Sequence, residues 1–356
     1  MAEAAHRPRR VLVTGGAGFI GSGFVHHLLA TDPDVQICTF DLLTYAGDPG
    51  NLAGLPDPER HALVVGDIAD VASVDAVFRG FAPDTVVHFA AESHVDRSIA
   101  LPGAFLRTNV TGTFTLLEAA RRSWEGRSDV RFHHVSTDEV YGALSPEDAP
   151  RKEEDAYRPS SAYSASKAGS DHLVEAWGRT YGLPTTMTLS CNVLGPRQHP
   201  EKLVPLVMLR AMAGEPLPIY GDGLQVREWL HVRDVCAGVD AVVRRGRAGG
   251  RYHLSSERAT SNLELVGLIA DRLDAELGGG PRRALVRHVA DRPGHDRRYA
   301  LDAGRIRAEL GWAPAMDLEA AVAATVEAAL ESPGWAEAAR ARPGFGAWMA
   351  RNYAGR

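Results

Sequence analysis

Tyr163 and Lys167 are four residues apart in the stretch Tyr-Ser-Ala-Ser-Lys, a spacing that allows acid-base chemistry. The preceding Pro159-Ser160-Ser161 is a helix-start signal, and residues four apart on a helix lie on the same face. A free phenol has a pKa of about 10 and is a poor base at neutral pH, whereas a neighbouring ammonium favours the phenolate. We therefore expect Lys167 to lower the pKa of Tyr163, which then suits removing a proton from an alcohol.

The lysine is informative because the chain contains only Lys152, Lys167 and Lys202 and otherwise uses arginine. A compact ammonium and a guanidinium are not interchangeable where a ribose and a phenol must be contacted. A Tyr-x-x-x-Lys spacing also arises by chance on helix surfaces, so this prediction depends on the elements around it.

A hydroxyl and two carboxylates, Thr137, Asp138 and Glu139, follow a predicted strand over residues 130–135. Adjacent carboxylates are costly to bury. Like charges at short range push two pKa values apart, so that one group is protonated while its neighbour is ionised. The sequence therefore predicts an acid and a base at the end of this strand; the alternative is that either carboxylate caps the following turn.

Near the N-terminus, a predicted strand over residues 10–14 runs into Gly15, Gly18 and Gly21, and an amphipathic run over residues 24–29 follows. Glycines permit the tight turn and let the backbone approach a pyrophosphate at the helix N-terminus. The glycine spacing alone is a weak signal, but here it has the required strand before it and helix after it.

The next predicted strand, over residues 35–40, ends at Asp41. A carboxylate about twenty residues beyond the glycines binds the ribose 2′-hydroxyl of NAD. Leu42 and Leu43 follow Asp41 where a 2′-phosphate would need a cation. NAD is therefore favoured over NADP, and the alternative is that Asp41 is only a turn residue.

Strands and helices alternate through the first half of the chain, which predicts an α/β, Rossmann-type, doubly wound parallel sheet. In such sheets ligands bind at the carboxyl ends of the strands, where Asp67 is placed to meet the adenine. Asn109 is predicted near the N-terminus of its helix. The remaining predicted strands cover residues 62–65, 85–89 and 185–189, and the helices cover residues 70–78, 109–122, 163–181, 263–277 and 318–330.

Composition limits the class of protein. The chain has 356 residues and a net charge of −6, which argues against a nucleic-acid partner. Its three cysteines are scattered, which predicts neither a disulfide framework nor a metal site and favours a reducing cytoplasm. We expect no signal peptide and no membrane span.

The glycine turn, Ser136-Thr137 and the Tyr163/Lys167 pair together resemble the extended short-chain dehydrogenase/reductase superfamily. Asp138-Glu139 resembles the narrower nucleotide-sugar 4,6-dehydratases, above all those that act on dTDP-glucose. Five further stretches share this resemblance: residues 41–47, 91–98, 199–203, 217–223 and 291–299.

The resemblance implies a redox cycle that turns dTDP-glucose into a 4-keto-6-deoxy sugar nucleotide. Tyr163 takes the C4 hydroxyl proton while NAD takes the hydride, Glu139 removes the C5 proton, and Asp138 protonates the leaving C6 hydroxyl. The hydride then returns to C6. Thr137 and Lys167 orient the C4 oxygen and the ribose.

The resemblance also implies two sets of binding residues. The cofactor set is Gly15, Gly18, Phe19, Ile20, Gly21, Asp41, Leu42, Thr44, Asp67, Ile68, Phe89, Ala90, Ala91, Ser93, Thr108, Tyr163 and Lys167. The substrate set is Ser93, Thr137, Asn192, Lys202, Leu203, Pro218, Tyr220, Arg227, Asn262, Arg292 and His295.

By the same resemblance, residues 1–190 form the NAD-binding domain, and residues 191–356 are mainly a smaller sugar-nucleotide-binding lobe, with a chain that crosses between them more than once. A homodimer is expected. The sequence departs from the family pattern at Val193, Leu194, Arg197, Glu228 and His231 and over residues 255–258.

These departures leave the nucleotide and the sugar open. The alternatives are a dehydratase of a UDP-sugar, a sugar-nucleotide 4-epimerase, and a catalytically silent protein that binds NAD and a partner. The adjacent acids speak against the epimerase, and the silent protein would need neither the acids nor the Tyr163/Lys167 pair.

Overall fold

The structure is a computed structural model that describes residues 5–332, 334–342 and 344–353. The strands are β1 (Arg10–Thr14), β2 (Gln36–Asp41), β3 (His61–Val65), β4 (Thr85–His88), β5 (Arg131–Thr137), β6 (Thr185–Ser190), β7 (Asn192–Leu194), β8 (Leu217–Tyr220), β9 (Val226–Arg227), β10 (Trp229–His231), β11 (Gly250–Leu254), β12 (Thr260–Ser261) and β13 (Val286–Val289). The α-helices are α1 (Phe19–Thr31), α2 (Val71–Phe81), α3 (Val95–Ala100), α4 (Pro102–Phe105), α5 (Thr113–Ser123), α6 (Ala162–Tyr181), α7 (Leu203–Met212), α8 (Val232–Arg245), α9 (Asn262–Leu277), α10 (Gly304–Leu310), α11 (Leu318–Leu330), α12 (Trp335–Ala341) and α13 (Phe345–Tyr353).

Among the described residues, seven strands form one sheet in the order β11-β6-β5-β4-β1-β2-β3, and each neighbouring pair in it is parallel. The chain winds from β1 outward to β3 and then from β4 outward in the other direction. This reversal between β1 and β4 is the topological switch point of a doubly wound sheet. The predicted Rossmann-type α/β fold is confirmed.

Two hydrophobic cores flank the sheet because successive side chains of a strand point to opposite faces. Val11 and Val13 of β1 belong to the core that α1 and α8 cover. Leu12, between them, belongs to the core that α2, α5 and α6 cover. Both faces are therefore sealed by helices, and the strand ends remain as the polar edge at which a ligand can bind.

A third core lies in a separate lobe built from α7, α9 and α11. Its sheets are small, and β13 pairs in parallel with β8 from nearly seventy residues earlier in the chain. The helices predicted over residues 263–277 and 318–330 are confirmed as α9 and α11.

The chain returns to the first sheet after it has entered this lobe. β11 follows β8, β9 and β10 in the sequence, yet it pairs in parallel with β6 and completes the large sheet. α8 precedes β11 and buries Val235 and Val239 in the same core as α1. The two lobes are thus interleaved in the sequence.

The predicted position of Asn109 near a helix N-terminus is wrong. Helical structure runs without a break from α4 through a π-helical segment, Leu106–Gly112, into α5, so Asn109 lies in its middle. A π-helical turn contains an additional residue, which disturbs the 3.6-residue periodicity that the prediction used. The Asn109 amide donates to the Glu92 carbonyl oxygen (3.0 Å) and to Ser166 Oγ (2.8 Å), which ties the segment after β4 to α6.

The C-terminal segment contacts both lobes. Arg342 Nη2 lies 2.9 Å from Asp48 Oδ2, in the loop after β2. Arg340 Nη2 donates to the Leu209 carbonyl oxygen of α7 (3.0 Å), and Phe345 packs on Leu209. In the described part of the chain, no helix is long and apolar enough to cross a membrane.

Candidate active site

The glycine turn after β1 is shaped for close approach of an anion. Gly15 has a φ of +69°, a conformation that favours glycine. A Cβ added at Gly21 would clash with the Gly15 carbonyl oxygen. α1 begins directly after Gly18, so its first N–H groups face the turn and attract negative charge. This cradle fits the pyrophosphate of a dinucleotide.

Asp41 lies beside this turn at the end of β2. Its carboxylate accepts hydrogen bonds from the backbone N–H of Ala17 (2.9 Å) and of Leu43 (2.8 Å). Burial raises the pKa of Asp41, and these two hydrogen bonds oppose that shift. Asp41 therefore stabilises the turn, which the sequence analysis gave as the alternative to ribose binding. It also lines the cavity described below.

Asp67, predicted to meet the adenine, lies at the same edge after β3. One of its carboxylate oxygens is 2.5 Å from Arg107 Nη1, and the other accepts from the Ala69 N–H (2.8 Å). The side chain of Asp67 is thereby held at the rim of the cavity.

Thr137 ends β5, and Asp138 and Glu139 begin the short 3-10 helix Asp138–Tyr141. Thr137 Oγ1 donates to Asp138 Oδ1 (3.2 Å) and accepts from the Glu139 N–H (3.3 Å). The other carboxylate oxygen of Asp138 is buried and has no hydrogen-bond partner among the described residues. It is therefore available to a ligand.

The two acids have different electrostatic surroundings. Burial and the neighbouring Glu139 carboxylate raise the pKa of Asp138 to about 8, so Asp138 is protonated at neutral pH. Burial also raises the pKa of Glu139, but Arg292, Arg227 and Lys202 oppose that shift. The geometry thus favours a protonated Asp138 beside a Glu139 whose ionised form is stabilised by cations.

Tyr163 and Lys167 lie on the first turns of α6, as predicted. Ser161 and Ser164 form a capping box that starts this helix. Tyr163 is only 8% exposed and packs edge-on against Phe105, with ring centroids 6.3 Å apart. Both side chains point into the same cavity as the acids.

The expected lowering of the Tyr163 pKa by Lys167 is wrong for this structure. Burial and the Glu139 carboxylate raise the pKa of the phenol, while the Thr137 side chain opposes the shift. Lys167 Nζ donates to the Val135 carbonyl oxygen (2.8 Å) and lies 3.2 Å from His134 Nε2. Its hydrogen bonds are thus directed at β5 instead of the phenol.

A buried network holds Lys167 in this position. His134 Nε2 lies 3.1 Å from Asp171 Oδ1, and Asp171 Oδ2 accepts from Ser136 Oγ (2.7 Å) and from the Tyr157 hydroxyl (2.9 Å). Burial lowers the pKa of Lys167 to about 8, and the Asp171 carboxylate opposes that shift.

Positively charged side chains lie at the other end of the cavity. Lys202 Nζ donates to the Ser93 carbonyl oxygen (2.6 Å), and Arg292 Nη1 lies 3.2 Å from Asp96 Oδ1. Arg227 is held by backbone carbonyl oxygens, including that of Asp296 (2.8 Å), with its guanidinium 4.2 Å from the centre of the Tyr299 ring. These positive charges, of which that of Arg227 is buried and those of Lys202 and Arg292 are half-buried, suit a diphosphate.

One cavity of about 450 Å³ brings all of these groups together. Every residue of the predicted cofactor and substrate sets lines it, from Gly15 in the first lobe to His295 in the second. The sequence interpretation missed other lining residues that lie within the stretches it had matched, over residues 91–98 and 199–203: Glu92, His94, Asp96, His199 and Glu201.

The departures from the family pattern have structural roles. Glu228 is buried and accepts hydrogen bonds from Ser255 Oγ and from the Leu301 N–H (3.1 Å). His231 Nδ1 accepts from the Arg233 N–H (3.2 Å) and caps α8. Val193 lines the cavity, and Arg197 has a left-handed φ of +71° in the loop after β7.

Comparisons with known proteins agree with this geometry. The model of the family described as GDP-mannose 4,6 dehydratase matches residues 12–325. A dTDP-glucose 4,6-dehydratase of Shigella flexneri is 47% identical over 361 aligned positions, covering 98% of this chain and 99% of that protein. The enzyme of the same name from Xanthomonas campestris is 49% identical and covers 92% of this chain and 94% of its own.

Solved structures give the same result. The dTDP-glucose 4,6-dehydratase of Streptomyces venezuelae, with NAD bound, is 48% identical and has a TM-score of 0.85, covering 93% of this chain and 99% of that one. The UDP-glucose 4-epimerase of Thermus thermophilus, also with NAD, is 30% identical with a TM-score of 0.80 and covers 90% of this chain and 98% of that one.

Proposed function

The chain belongs to the family described as GDP-mannose 4,6 dehydratase, and we propose that it converts dTDP-glucose to dTDP-4-keto-6-deoxyglucose and water. The observation that carries this proposal is the adjacent pair of a buried Asp138 and a half-buried Glu139, which lies beside Tyr163 in the cavity that begins at the glycine turn. An epimerase that moves a hydride between two faces of one carbon has no use for this additional acid and base. Relatives that match nearly the whole chain are named for the dehydration.

The cofactor is NAD, which accepts a hydride from C4 of the sugar and returns it to C6 when bound. We propose that the turn from Gly15 to Gly21 holds its pyrophosphate and that Asp41 holds the adenosine ribose. Asp67 contacts the adenine. Lys167, fixed by β5 and His134, holds the ribose of the nicotinamide half. Its positive charge stays near the C4 oxygen of the sugar.

Tyr163 removes the C4 hydroxyl proton. Its phenol is buried, so the phenolate needs compensating interactions. The Thr137 side chain, which opposes the rise in the pKa of the phenol, supplies one, and the positive charge of the oxidised cofactor supplies another. A positioned base of this kind typically contributes about 10²–10⁴-fold to the rate.

Glu139 and Asp138 carry out the elimination. The C4 ketone acidifies the C5 hydrogen, which Glu139 removes as a proton. Asp138, with its pKa raised to about 8, delivers a proton to the departing C6 hydroxyl, which leaves as water. Glu139 then returns the proton to C5, so the sugar loses one water in total.

Cations fix the nucleotide end of the substrate. Arg227 and Arg292 bind the diphosphate, because a guanidinium matches phosphate oxygens bidentately. Tyr220 stacks on the base. The remaining proposed substrate contacts are Ser93, Thr137, Asn192, Lys202, Leu203, Pro218, Asn262 and His295, all on the cavity wall.

We further propose a homodimer formed by α5, α6 and the helical run before α5. Large apolar side chains are exposed on these elements, which is unusual for a surface that stays in water. Phe114 is 43% exposed, Tyr181 53% and Leu106 57%. A second copy of the chain would cover them.

The domain division at residue 190, with a chain that crosses between the lobes more than once, and a cytoplasmic location also remain proposals. The separate core around α7, α9 and α11 supports the division. The buried, free state of Cys38, Cys191 and Cys236 supports a reducing compartment.

Incubation with dTDP-glucose or UDP-glucose, without added NAD, tests the reaction by mass spectrometry. We expect the dTDP-sugar to lose one water, since the cofactor returns to its starting state in every cycle. Loss of water from the UDP-sugar alone would show that the substrate is a UDP-sugar. Interconversion of sugar epimers without any mass change would indicate epimerisation. An unchanged sugar with NAD retained would indicate the silent protein.

A further inference from the structure

We propose that Arg97 couples the cofactor end of the cavity to its substrate end, so that a bound sugar nucleotide slows the release of NAD. This role rests on the proposed function, which places both ligands in one cavity. Arg97 acts in it as a positioning residue, because neither Arg97 nor Tyr45, its partner at the cofactor end, belongs to the cavity wall that the described residues form.

The proposed reaction needs NAD to stay bound above all while the sugar is bound. The hydride that C4 gives up must return to C6 of the same sugar, so loss of the cofactor between these two steps would leave an unfinished sugar. Retention that increases when the substrate end is occupied prevents this loss. A contact between the residues that hold NAD and those that hold the substrate provides such retention.

The cofactor end of this contact is the loop over residues 42–48, which follows β2. Leu42 and Thr44, both in the proposed cofactor set, line the cavity from this loop. Tyr45 of the same loop lies against α3, where the guanidinium carbon of Arg97 is 3.8 Å from the centre of the phenol ring. A guanidinium over a ring face is attracted to it, most strongly where water is excluded. The position of the loop is therefore tied to that of Arg97.

The substrate end of the contact is Glu201, which lies just before α7 of the second lobe. Arg97 Nε donates to Glu201 Oε2 (3.0 Å), and Arg97 Nη2 donates to Glu201 Oε1 (2.6 Å). Two bonds of this kind fix the plane of the guanidinium. The next residue is Lys202, a proposed substrate contact whose Nζ donates to the Ser93 carbonyl oxygen (2.6 Å). One guanidinium therefore contacts the cofactor loop with its face and the substrate segment with its edge.

Burial makes these contacts move together. The side chain of Glu201 is 1% exposed and that of Arg97 is 19% exposed. Movement of either partner away from the other would leave the buried carboxylate without this counterion, which is costly. A diphosphate that binds Lys202 restrains Glu201 and Arg97, and through Arg97 it restrains the loop that carries Tyr45. By thermodynamic linkage, each ligand then raises the affinity of the other by the same factor.

Exchange of the bound cofactor tests the proposal without any turnover. The holoenzyme is mixed with isotopically labelled NAD, and mass spectrometry follows the replacement of the bound cofactor with and without saturating dTDP. This nucleotide carries the diphosphate but no sugar to dehydrate. For the wild-type enzyme we expect dTDP to slow the exchange by about 10-fold, within the usual range of coupling between two sites.

Tyr45→Leu removes the ring that lies against Arg97, and we expect its exchange rate to become nearly the same with and without dTDP. The matched control is Tyr45→Phe, which keeps the ring and removes only the hydrogen bond from the hydroxyl to Glu92 Oε2 (2.9 Å). It should keep the wild-type ratio of the two rates. Glu201→Gln breaks the ion pair from the other side and should also bring the ratio close to one, which keeps the test available if Tyr45→Leu does not retain NAD.

The ratio of the two rates separates coupling from a general loosening of the loop. If Tyr45→Leu speeds the exchange by the same factor with and without dTDP, the ring only supports the loop and the coupling is refuted. A wild-type rate that does not respond to dTDP, with calorimetry showing that dTDP is bound, refutes it as well. Loss of the ratio in Tyr45→Phe as complete as in Tyr45→Leu would assign the coupling to Glu92 and overturn the role of Arg97.

Failure of the coupling and failure of the proposed reaction give different results. If dTDP slows the exchange in the wild-type enzyme and in Tyr45→Phe only, while dTDP-glucose loses no water, the coupling stands and the dehydration is wrong. If UDP slows the exchange and dTDP does not, the coupling stands and the nucleotide of the proposed substrate is wrong. Dehydration of dTDP-glucose at an exchange rate that no nucleotide changes would leave the reaction in place and refute the coupling.

Discussion

His134 Nε2 lies 3.1 Å from Asp171 Oδ1 with both side chains fully buried, and the same nitrogen lies 3.2 Å from Lys167 Nζ. A single imidazole nitrogen therefore connects the lysine of the site to a carboxylate of the core. Burial lowers the pKa of the Lys167 ammonium, and the Asp171 charge partly restores it.

Asp171→Asn should therefore move the basic limb of the kcat–pH profile to lower pH. Without the carboxylate, the pKa of Lys167 falls below its value of about 8. Opposite charges at this range shift a pKa by roughly one unit or more, so we expect a shift of about one pH unit. Ser136→Ala, which removes a hydrogen bond to Asp171 but keeps its charge, is the control. An unmoved basic limb in Asp171→Asn would show that the network does not support the Lys167 charge.

Tyr163→Phe should abolish reduction of the bound NAD, since the C4 hydroxyl then has no base when its hydride leaves. We expect a loss of about 10²–10⁴-fold. The rate of appearance of the reduced-nicotinamide absorbance in a single turnover measures it. Turnover at the wild-type rate would remove Tyr163 from the mechanism.

Glu139→Gln should permit oxidation at C4 and stall the elimination. Reduced nicotinamide then accumulates, because the C5 proton has no acceptor. In deuterated water, we expect C5 exchange to fall together with product formation. Exchange at the normal rate in this variant would contradict the assignment of Glu139 as the base.

Asp138→Asn should lower activity and raise stability at alkaline pH. Because the pKa of Asp138 is raised to about 8 in the folded protein, the folded state binds its proton more tightly than the unfolded state does. The stabilisation is complete below the unfolded pKa of about 4 and is lost as the pH rises towards 8. An amide has no charge to bury, so we expect the variant's Tm to exceed that of the wild type by about a few degrees at pH 8 and to approach it at pH 5.

Thermal unfolding across this pH range measures the effect. Glu125→Gln, at an exposed carboxylate, serves as the control and should not change the pH dependence. A Tm difference for Asp138→Asn that is the same at every pH would show that Asp138 is ionised in the folded protein.

Phe114→Asp should weaken the proposed dimer, because it introduces a charge among the apolar side chains of α5 and α6. Leu277→Asp is matched in exposure, at 48% compared with 43% for Phe114, and lies at the end of α9 in the other lobe. We expect sedimentation to report a smaller species at micromolar concentration for Phe114→Asp only. Equal sedimentation of both variants and the wild type would place any interface elsewhere.

The positions of the reacting groups could be predicted because they depend on local sequence. Tyr163 and Lys167 are four apart behind a serine cap, and Thr137, Asp138 and Glu139 directly follow a buried strand, so their locations follow from helical and strand geometry. The carboxyl ends of parallel strands then bring them to one edge.

What could not be predicted depends on side-chain direction and on distant pairing. A lysine has several rotatable bonds, and its sequence position does not reveal that its ammonium is taken by the Val135 carbonyl oxygen. The π-helical segment around Asn109 interrupts the 3.6-residue periodicity, so the sequence pattern did not indicate that helical structure begins before Asn109. The pairing of β8 with β13 joins strands far apart in the chain, and local patterns do not specify such partners.

β11 completes the large sheet although it comes late in the sequence, and this order has a consequence for biosynthesis. While the ribosome has made only the first half of the chain, β6 is an open edge, and the apolar face under α8 has no cover. Nascent chains in that state present unpaired backbone groups to one another, which invites aggregation. We infer that a fragment ending at residue 190 exposes this strand edge and this apolar face, and that it aggregates more readily than the full chain does.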